Sequence, residues 1–257
     1  MEIAMQILER IRHELTLFER RKTFKILTTT APEKIVDYGE RQLLKAFARA
    51  SGRVPAYRDL LAKNGCVPEK VTTISAFKEM VPVITKKEVF TNNKIEELCI
   101  DGSIGELKTA MSSSGFSGTY SFGASSRKNQ RNAEKGIDTS LDFIFNISNK
   151  KTFLINCLAM GVRVPTSLPT AETSVRSDMA LAIFKKFSPQ FDQILFLADP
   201  HFHKKLIEEG ADQGIDWQQE NVNLITGGDW IPETFRSYLG GLLGTDWERM
   251  DRGVIGG

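Results

Sequence analysis

Residues 193–198 read Gln-Ile-Leu-Phe-Leu-Ala, four large apolar side chains in succession with no polar residue between them. A half-buried strand alternates apolar and polar positions, whereas a strand covered on both faces reads as a continuous apolar run. Residues 193–198 are therefore expected as an inner strand of a largely parallel sheet. Phe153-Leu154-Ile155, inside 152–158, has the same character. Further strand-like runs fall at 107–111, 119–124 and 222–226, and helical stretches at 129–145, 178–187, 201–209 and 232–243. Strands alternating with helices imply an α/β fold, a parallel or mixed β-sheet covered by helices. Ligands in such sheets bind beyond the carboxyl ends of the strands, so the turns that leave those ends are the first places to look for a site.

Before residue 100 the pattern is helical. Ile3, Ile7, Ile11, Leu15 and Phe18 recur at helical spacing and form one apolar stripe. The stripe is expected to face the protein's own core, with a second copy of the chain, hence a homodimer, as the alternative. Pro32 opens a second helix, whose apolar positions are Ile35, Val36, Leu43, Leu44 and Phe47 and which ends at Ser51-Gly52. A third covers 57–63 and stops near Gly65. Thr85 with Glu88 three residues on forms a capping box for a short fourth. With no internal repeat and no long linker, 1–257 reads as one domain in which a mostly helical N-terminal region, 1–100, packs on an α/β region, 101–257.

At 257 residues and 41% hydrophobic, the chain can bury a sizeable core. Its net charge of +2 calls for no polyanionic partner. The densest basic groups, Glu19-Arg20-Arg21-Lys22 and Lys204-Lys205, read as solvated helix faces and not as a nucleic-acid patch. No apolar run approaches the roughly 20 residues that span a bilayer. The first ten residues carry charge within their apolar pattern and lack a small-residue cleavage site, unlike a secretory signal. Cys66, Cys99 and Cys157, an odd number without metal-type spacing, fit a reducing compartment. The expectation is a cytoplasmic protein with no nucleic-acid partner and no membrane span.

Two glycine-rich turns are candidate sites. Between the runs 107–111 and 119–124 lies Ser112-Ser113-Ser114-Gly115-Phe116-Ser117-Gly118-Thr119-Tyr120-Ser121. Gly115 and Gly118 can take conformations closed to other residues and turn successive N–H groups toward an anion. Ser113, Ser114, Ser117 and Thr119 add hydroxyl donors, a combination that suits a polyphosphate; a solvated linker is the competing reading of the same composition. The second turn, Gly227-Gly228-Asp229, follows a strand and precedes a helix, where a nucleotide can sit, although a ligand-free turn has the same pattern.

Other candidates are weaker. His201 and His203 near Asp199 invite a metal, but residues two apart point to different sides of a helix. Cys157 at the end of an apolar strand reads as a buried thiol more readily than as an acyl-accepting nucleophile. The polar stretch 166–173 reads as a surface connection, with the border of an acyl-substrate cleft as the alternative.

Three segments together resemble adenylate-forming (AMP-binding) enzymes and, within them, the phenylacetate-CoA ligase and acyl-protein synthetase branch. Ser113-Ser114-Gly115-Phe116-Ser117-Gly118 is similar to that superfamily's phosphate loop, Ser-Ser-Gly-Thr-Thr-Gly. Arg53-Val54-Pro55-Ala56-Tyr57-Arg58, then Val81-Pro82-Val83-Ile84-Thr85-Lys86-Lys87-Glu88, resemble the branch's Val-Pro-Tyr-Tyr-Arg and Leu-Pro-hydrophobic-Thr-Lys-Glu signatures in the same order. Ile225-Thr226-Gly227-Gly228-Asp229 and Ile231-Pro232-Glu233-Thr234 resemble the Gly-Gly-Glu segment and the residues after it. The chain departs at Phe116 in place of a hydroxyl residue, Tyr120 in place of proline, Asp229 in place of glutamate, and in having no lysine to close the loop.

What the resemblance implies is the N-terminal part of an ATP-dependent, carboxylate-activating ligase. ATP, with Mg2+, and a carboxylic acid give an acyl-adenylate, and the acyl group then passes to coenzyme A or to the thiol of an acyl-accepting protein. It implies phosphate binding by Ser113, Ser114, Gly115, Ser117, Gly118 and Thr119, and adenine binding by Gly227, Gly228 and Asp229. No catalytic residue and no metal ligand is assigned in this chain, because the family's Tyr-Gly-x-Thr-Glu segment, ribose-binding aspartate, arginine and C-terminal lysine have no counterpart among the 257 residues. The chain alone is accordingly expected to be inactive. The alternative is a non-catalytic, degenerate relative that serves as a ligand-binding or interaction module, which Phe116, Tyr120 and the missing segments favour.

Overall fold

The computed structural model describes residues 2–115, 118–244 and 254–256. The chain divides into two compact units, Met1–Gln130 and Arg131–Gly257.

Among the described residues the second unit is built on five strands: β3 (Thr152–Asn156), β4 (Thr170–Glu172), β5 (Gln193–Ala198), β6 (Val222–Thr226) and β7 (Val254–Gly256). They lie in the order β4-β3-β5-β6-β7, and every neighbouring pair is parallel. In β3 and β5 every residue is buried, as apolar runs without alternation require. Phe153, Ile155, Ile194, Phe196, Val222 and Leu224 share one core with helices α7 (Ser177–Phe187), α8 (Pro200–Asp212) and α9 (Glu233–Leu242). Leu154, Leu195 and Leu197 point the other way and pack with Leu141 and Phe145 of α6 (Arg127–Phe145) and with Val164 and Leu168. The fold class is thus α/β, with helices packed on a parallel sheet.

Among the described residues the regular structure of the first unit is helical apart from one hairpin. Its helices are α1 (Glu2–Thr29), α2 (Pro32–Arg53), α3 (Pro55–Lys63), α4 (Ile74–Met80) and α5 (Lys86–Phe90). Phe47, Leu61, Cys66 and Val71 form its core, with Phe77 edge-on to Phe47 at 5.4 Å. The expected capping box is present: the Glu88 amide donates to Thr85 Oγ1 at 3.3 Å, and the Thr85 amide donates to Glu88 Oε2 at 2.9 Å.

Two sequence expectations need correction. The α1 stripe does not face a core at Ile7, Ile11, Leu15 and Phe18, which are all exposed, while the Ile3 side chain lies outside the described residues. The runs at 107–111 and 119–124 do not join the parallel sheet. They form a separate antiparallel hairpin of β1 (Leu107–Ser112) and β2 (Phe122–Ser126), with Ser112 opposite Phe122. The connection is shorter than the roughly dozen residues that a parallel crossover needs, so antiparallel pairing is the geometry open to it.

Candidate functional site

The Gly-Gly-Asp turn stands where a doubly covered parallel sheet binds ligands. It leaves the carboxyl end of β6, and the Gly227 amide donates to Ala198 O at 3.1 Å, which ties it to the carboxyl end of β5. Gly228 has φ of 92°, a region open to glycine at little cost. Gly228, Asp229 and the following Trp230 are exposed, and α9 begins after Pro232. Beside the turn, Asp199 caps α8 by accepting from the Phe202 amide at 2.9 Å.

His203 holds this strand end from beneath. It is fully buried on α8 and its Nε2 lies 3.0 Å from Ile225 O, two residues before Gly227. A carbonyl can only accept, so Nε2 carries the proton. Burial pushes the His203 pKa down to about 4, against the opposing pull of the Ile225 hydrogen bond and the Asp199 charge. The ring is neutral at physiological pH, and Nδ1 has no hydrogen-bond partner among the described residues. His201, two residues earlier, is exposed with its ring 5.8 Å from that of Phe235. The two histidines face different surroundings, as residues at i and i+2 of a helix must.

The hydroxyl-rich loop closes the β1–β2 hairpin. The Ser113 amide donates to Ser121 O at 2.9 Å, and the Ser121 amide donates back to Ser113 Oγ at 3.0 Å. Ser113 Oγ keeps its own proton to donate. The Gly118 amide donates to Gly115 O at 2.8 Å, so one N–H expected to face an anion is used within the loop. Gly115 and Gly118 have φ of 70° and 77°, as the glycine argument anticipates. A Cβ on Gly115 would lie 2.5 Å from the Tyr120 ring, so the ring sits directly on that glycine. Ser114 and Gly118 are exposed, Ser113 and Thr119 half-buried, and Phe116 and Ser117 lie outside the described residues.

Cys157 is buried at the carboxyl end of β3, where burial raises its pKa to about 11 and a hydrogen bond from Thr173 Oγ1 at 3.2 Å acts in the opposite direction. It is a thiol at neutral pH, which suits a structural role better than nucleophilic attack. Asp138, fully buried on α6, accepts from the Thr166 and Ser167 hydroxyls and from the Ser167 amide at 3.2 Å, and so anchors the 166–173 connection. Its signal in the sequence is a carboxylate on the same helix face as Leu141 and Phe145. Among the described residues no group of three or more His, Cys, Asp or Glu side chains could hold a metal ion, and no helix is long and apolar enough to cross a membrane.

No protein-family model and no curated protein matches the sequence. Solved structures do match in fold. The crystal structure of 2-hydroxyisobutyryl-CoA ligase with 2-HIB-AMP and CoA in the thioesterification state aligns with a TM-score of 0.66 at 13% identity, over 84% of this chain and 48% of that one. The same ligase in the postadenylation state with R3-HIB-AMP gives 0.66 at 12% identity, over 89% and 48%. An open conformation with 2-HIB-AMP and CoA gives 0.62 at 12%, over 83% and 47%. The chain therefore shares the fold of an acyl-CoA ligase and spans about half its length.

Proposed function

We propose that residues 1–257 are the N-terminal part of an acyl-adenylate-forming ligase of the phenylacetate-CoA ligase or acyl-protein synthetase type, a cytoplasmic enzyme. In this reading the chain is part of the large domain of such an enzyme. One observation carries the reading: the Gly-Gly-Asp turn, quoted from the sequence as an adenine-pocket segment, leaves a parallel strand in a fold shared with ligases whose structures hold acyl-AMP.

In this reading ATP and a carboxylic acid are substrates, and coenzyme A or a protein thiol takes the acyl group. The carboxylate attacks the α-phosphate in line, the bond to the bridging oxygen breaks, and pyrophosphate leaves with the electron pair. Gly227, Gly228 and Asp229 border adenine. Ser113, Ser114, Gly115, Ser117, Gly118 and Thr119 receive the phosphates, and hydroxyl donors of this kind stabilise charge that develops on departing oxygens. The described residues offer no carboxylate cage for magnesium, so no step is assigned to the metal. In this reading the 257-residue polypeptide by itself binds nucleotide weakly at best and does not turn it over.

A second reading, a non-catalytic ligand-binding or interaction module, draws support from Tyr120 seated on Gly115 and from the Gly118 amide used within the loop. Thermal-shift measurements with ATP and a panel of aromatic and fatty carboxylic acids separate the two, since a ligand at 100 times its dissociation constant stabilises by about 2.7 kcal/mol. A rise in melting temperature with ATP supports the ligase reading. No shift with any nucleotide or acid supports the module.

A further inference from the structure

The first helix carries an apolar seam that is exposed among the described residues. Leu8, Ile11, Leu15 and Phe18 follow one another at intervals of three, four and three residues, the spacing of a coiled-coil seam. With Ile7 beside them they are between 51% and 65% exposed. At roughly 100 Å2 each, the five leave roughly 500 Å2 of contiguous apolar surface, near the upper end of what monomeric proteins present as one patch. Two copies closing on it would bury roughly 1,000 Å2 from these side chains alone, about the area that a biological interface has to clear.

Charge placement selects the arrangement. Lys22 and Lys25 continue the same three-four spacing beyond Phe18. Parallel pairing would set each lysine against its own copy at the centre of the seam, whereas antiparallel pairing lays their stems along Ile11 and Leu8 of the other copy. In the antiparallel register that brings Leu15 of one copy to Phe18 of the other, the flanking Glu14 of one faces Arg21 of the other on each side of the twofold. Glu14 and Arg21 are both exposed.

We propose that the protein forms a twofold dimer through antiparallel pairing of α1 along Ile7, Leu8, Ile11, Leu15 and Phe18. The inference stands apart from the ligase reading, because it uses no residue of the candidate site. Sedimentation velocity on the whole 257-residue protein over about a hundredfold concentration range tests it. The wild type is expected at twice the chain mass. Leu15→Glu, and the milder Leu15→Ser, should raise the dimer dissociation constant about thirtyfold or more while leaving far-UV circular dichroism unchanged. Glu14→Arg or Arg21→Glu alone should weaken the dimer, and the two together should restore it. A monomer at every concentration, a dimer indifferent to Leu15→Glu, or a double reversal that fails to restore pairing would overturn the proposal.

Discussion

Gly210→Ala in α8 should destabilise the protein, although alanine is the better helix former by about 1 kcal/mol. A Cβ added at Gly210 would lie 2.2 Å from Cζ2 and 2.8 Å from Cε2 of Trp217, against the roughly 3.5–4.0 Å at which carbon atoms rest in contact. The indole cannot simply swing away. It is buried, its Nε1–H donates to Ile207 O at 2.8 Å, and its ring sits 5.1 Å from that of Phe184 and 6.2 Å from that of Phe196. Forcing it outward costs about 2–3 kcal/mol, counting overpacking and a weakened hydrogen bond, so the net loss after the propensity gain is about 1–2 kcal/mol. For a chain of this size that is a fall in melting temperature of roughly 2–8 °C. Gly136→Ala on α6 is the control: it is exposed, nothing lies within 4 Å of its added Cβ, and it should be neutral or stabilising by up to about 1 kcal/mol. Urea unfolding of both variants measures the difference. Equal stability of the two would refute the claim that Trp217 is locked over Gly210.

Stability should also depend on pH through His203. Its folded pKa is lowered to about 4 from 6.5, so above pH 6.5 both states are neutral at this site. Below pH 6.5 the unfolded chain gains a proton that the native chain refuses, and stability is lost as pH falls toward 4, by up to about 3 kcal/mol. His203→Gln should flatten the unfolding free energy across that window, and an unchanged slope would place its source elsewhere. Asp138→Ala should cost about 2–3 kcal/mol by leaving the hydroxyls of Thr166 and Ser167 and the Ser167 amide without their acceptor. Hydrogen exchange should show faster exchange at the Ser167 amide, and unchanged protection there would argue against the anchor.

The parallel sheet was legible because β3 and β5 must be covered on both faces, and a run such as Ile194-Leu195-Phe196-Leu197 states that demand without help from tertiary context. The Gly-Gly-Asp turn was legible for a related reason, since a strand followed at once by glycines and then a helix has few other places to go. The short edge strands β4 and β7 were not seen: three residues are too few to carry a period, and edge pairing is decided by neighbours. The α1 stripe shows a different limit. Periodicity shows that one face is apolar but not what covers it, and the default of an internal core was wrong for Ile7, Ile11, Leu15 and Phe18. In the hydroxyl-rich loop the sequence anticipated the positive φ of Gly115 and Gly118, yet not the Tyr120 ring on Gly115 or the return bond from the Ser121 amide to Ser113 Oγ. Both depend on how the loop folds on itself. His203 illustrates the same point, because its role comes from the Ile225 carbonyl, 22 residues away and brought under it by packing of α8 on β6.

The central claim is that adenine docks at the turn beyond β6. Photolabelling the 257-residue protein with 8-azido-ATP, followed by peptide mapping, addresses it most directly. The account expects label on the peptide containing Gly227, Gly228, Asp229 and the exposed Trp230, and expects excess unlabelled ATP to abolish it. Label confined to other peptides, or label on this one that ATP does not displace, would contradict it.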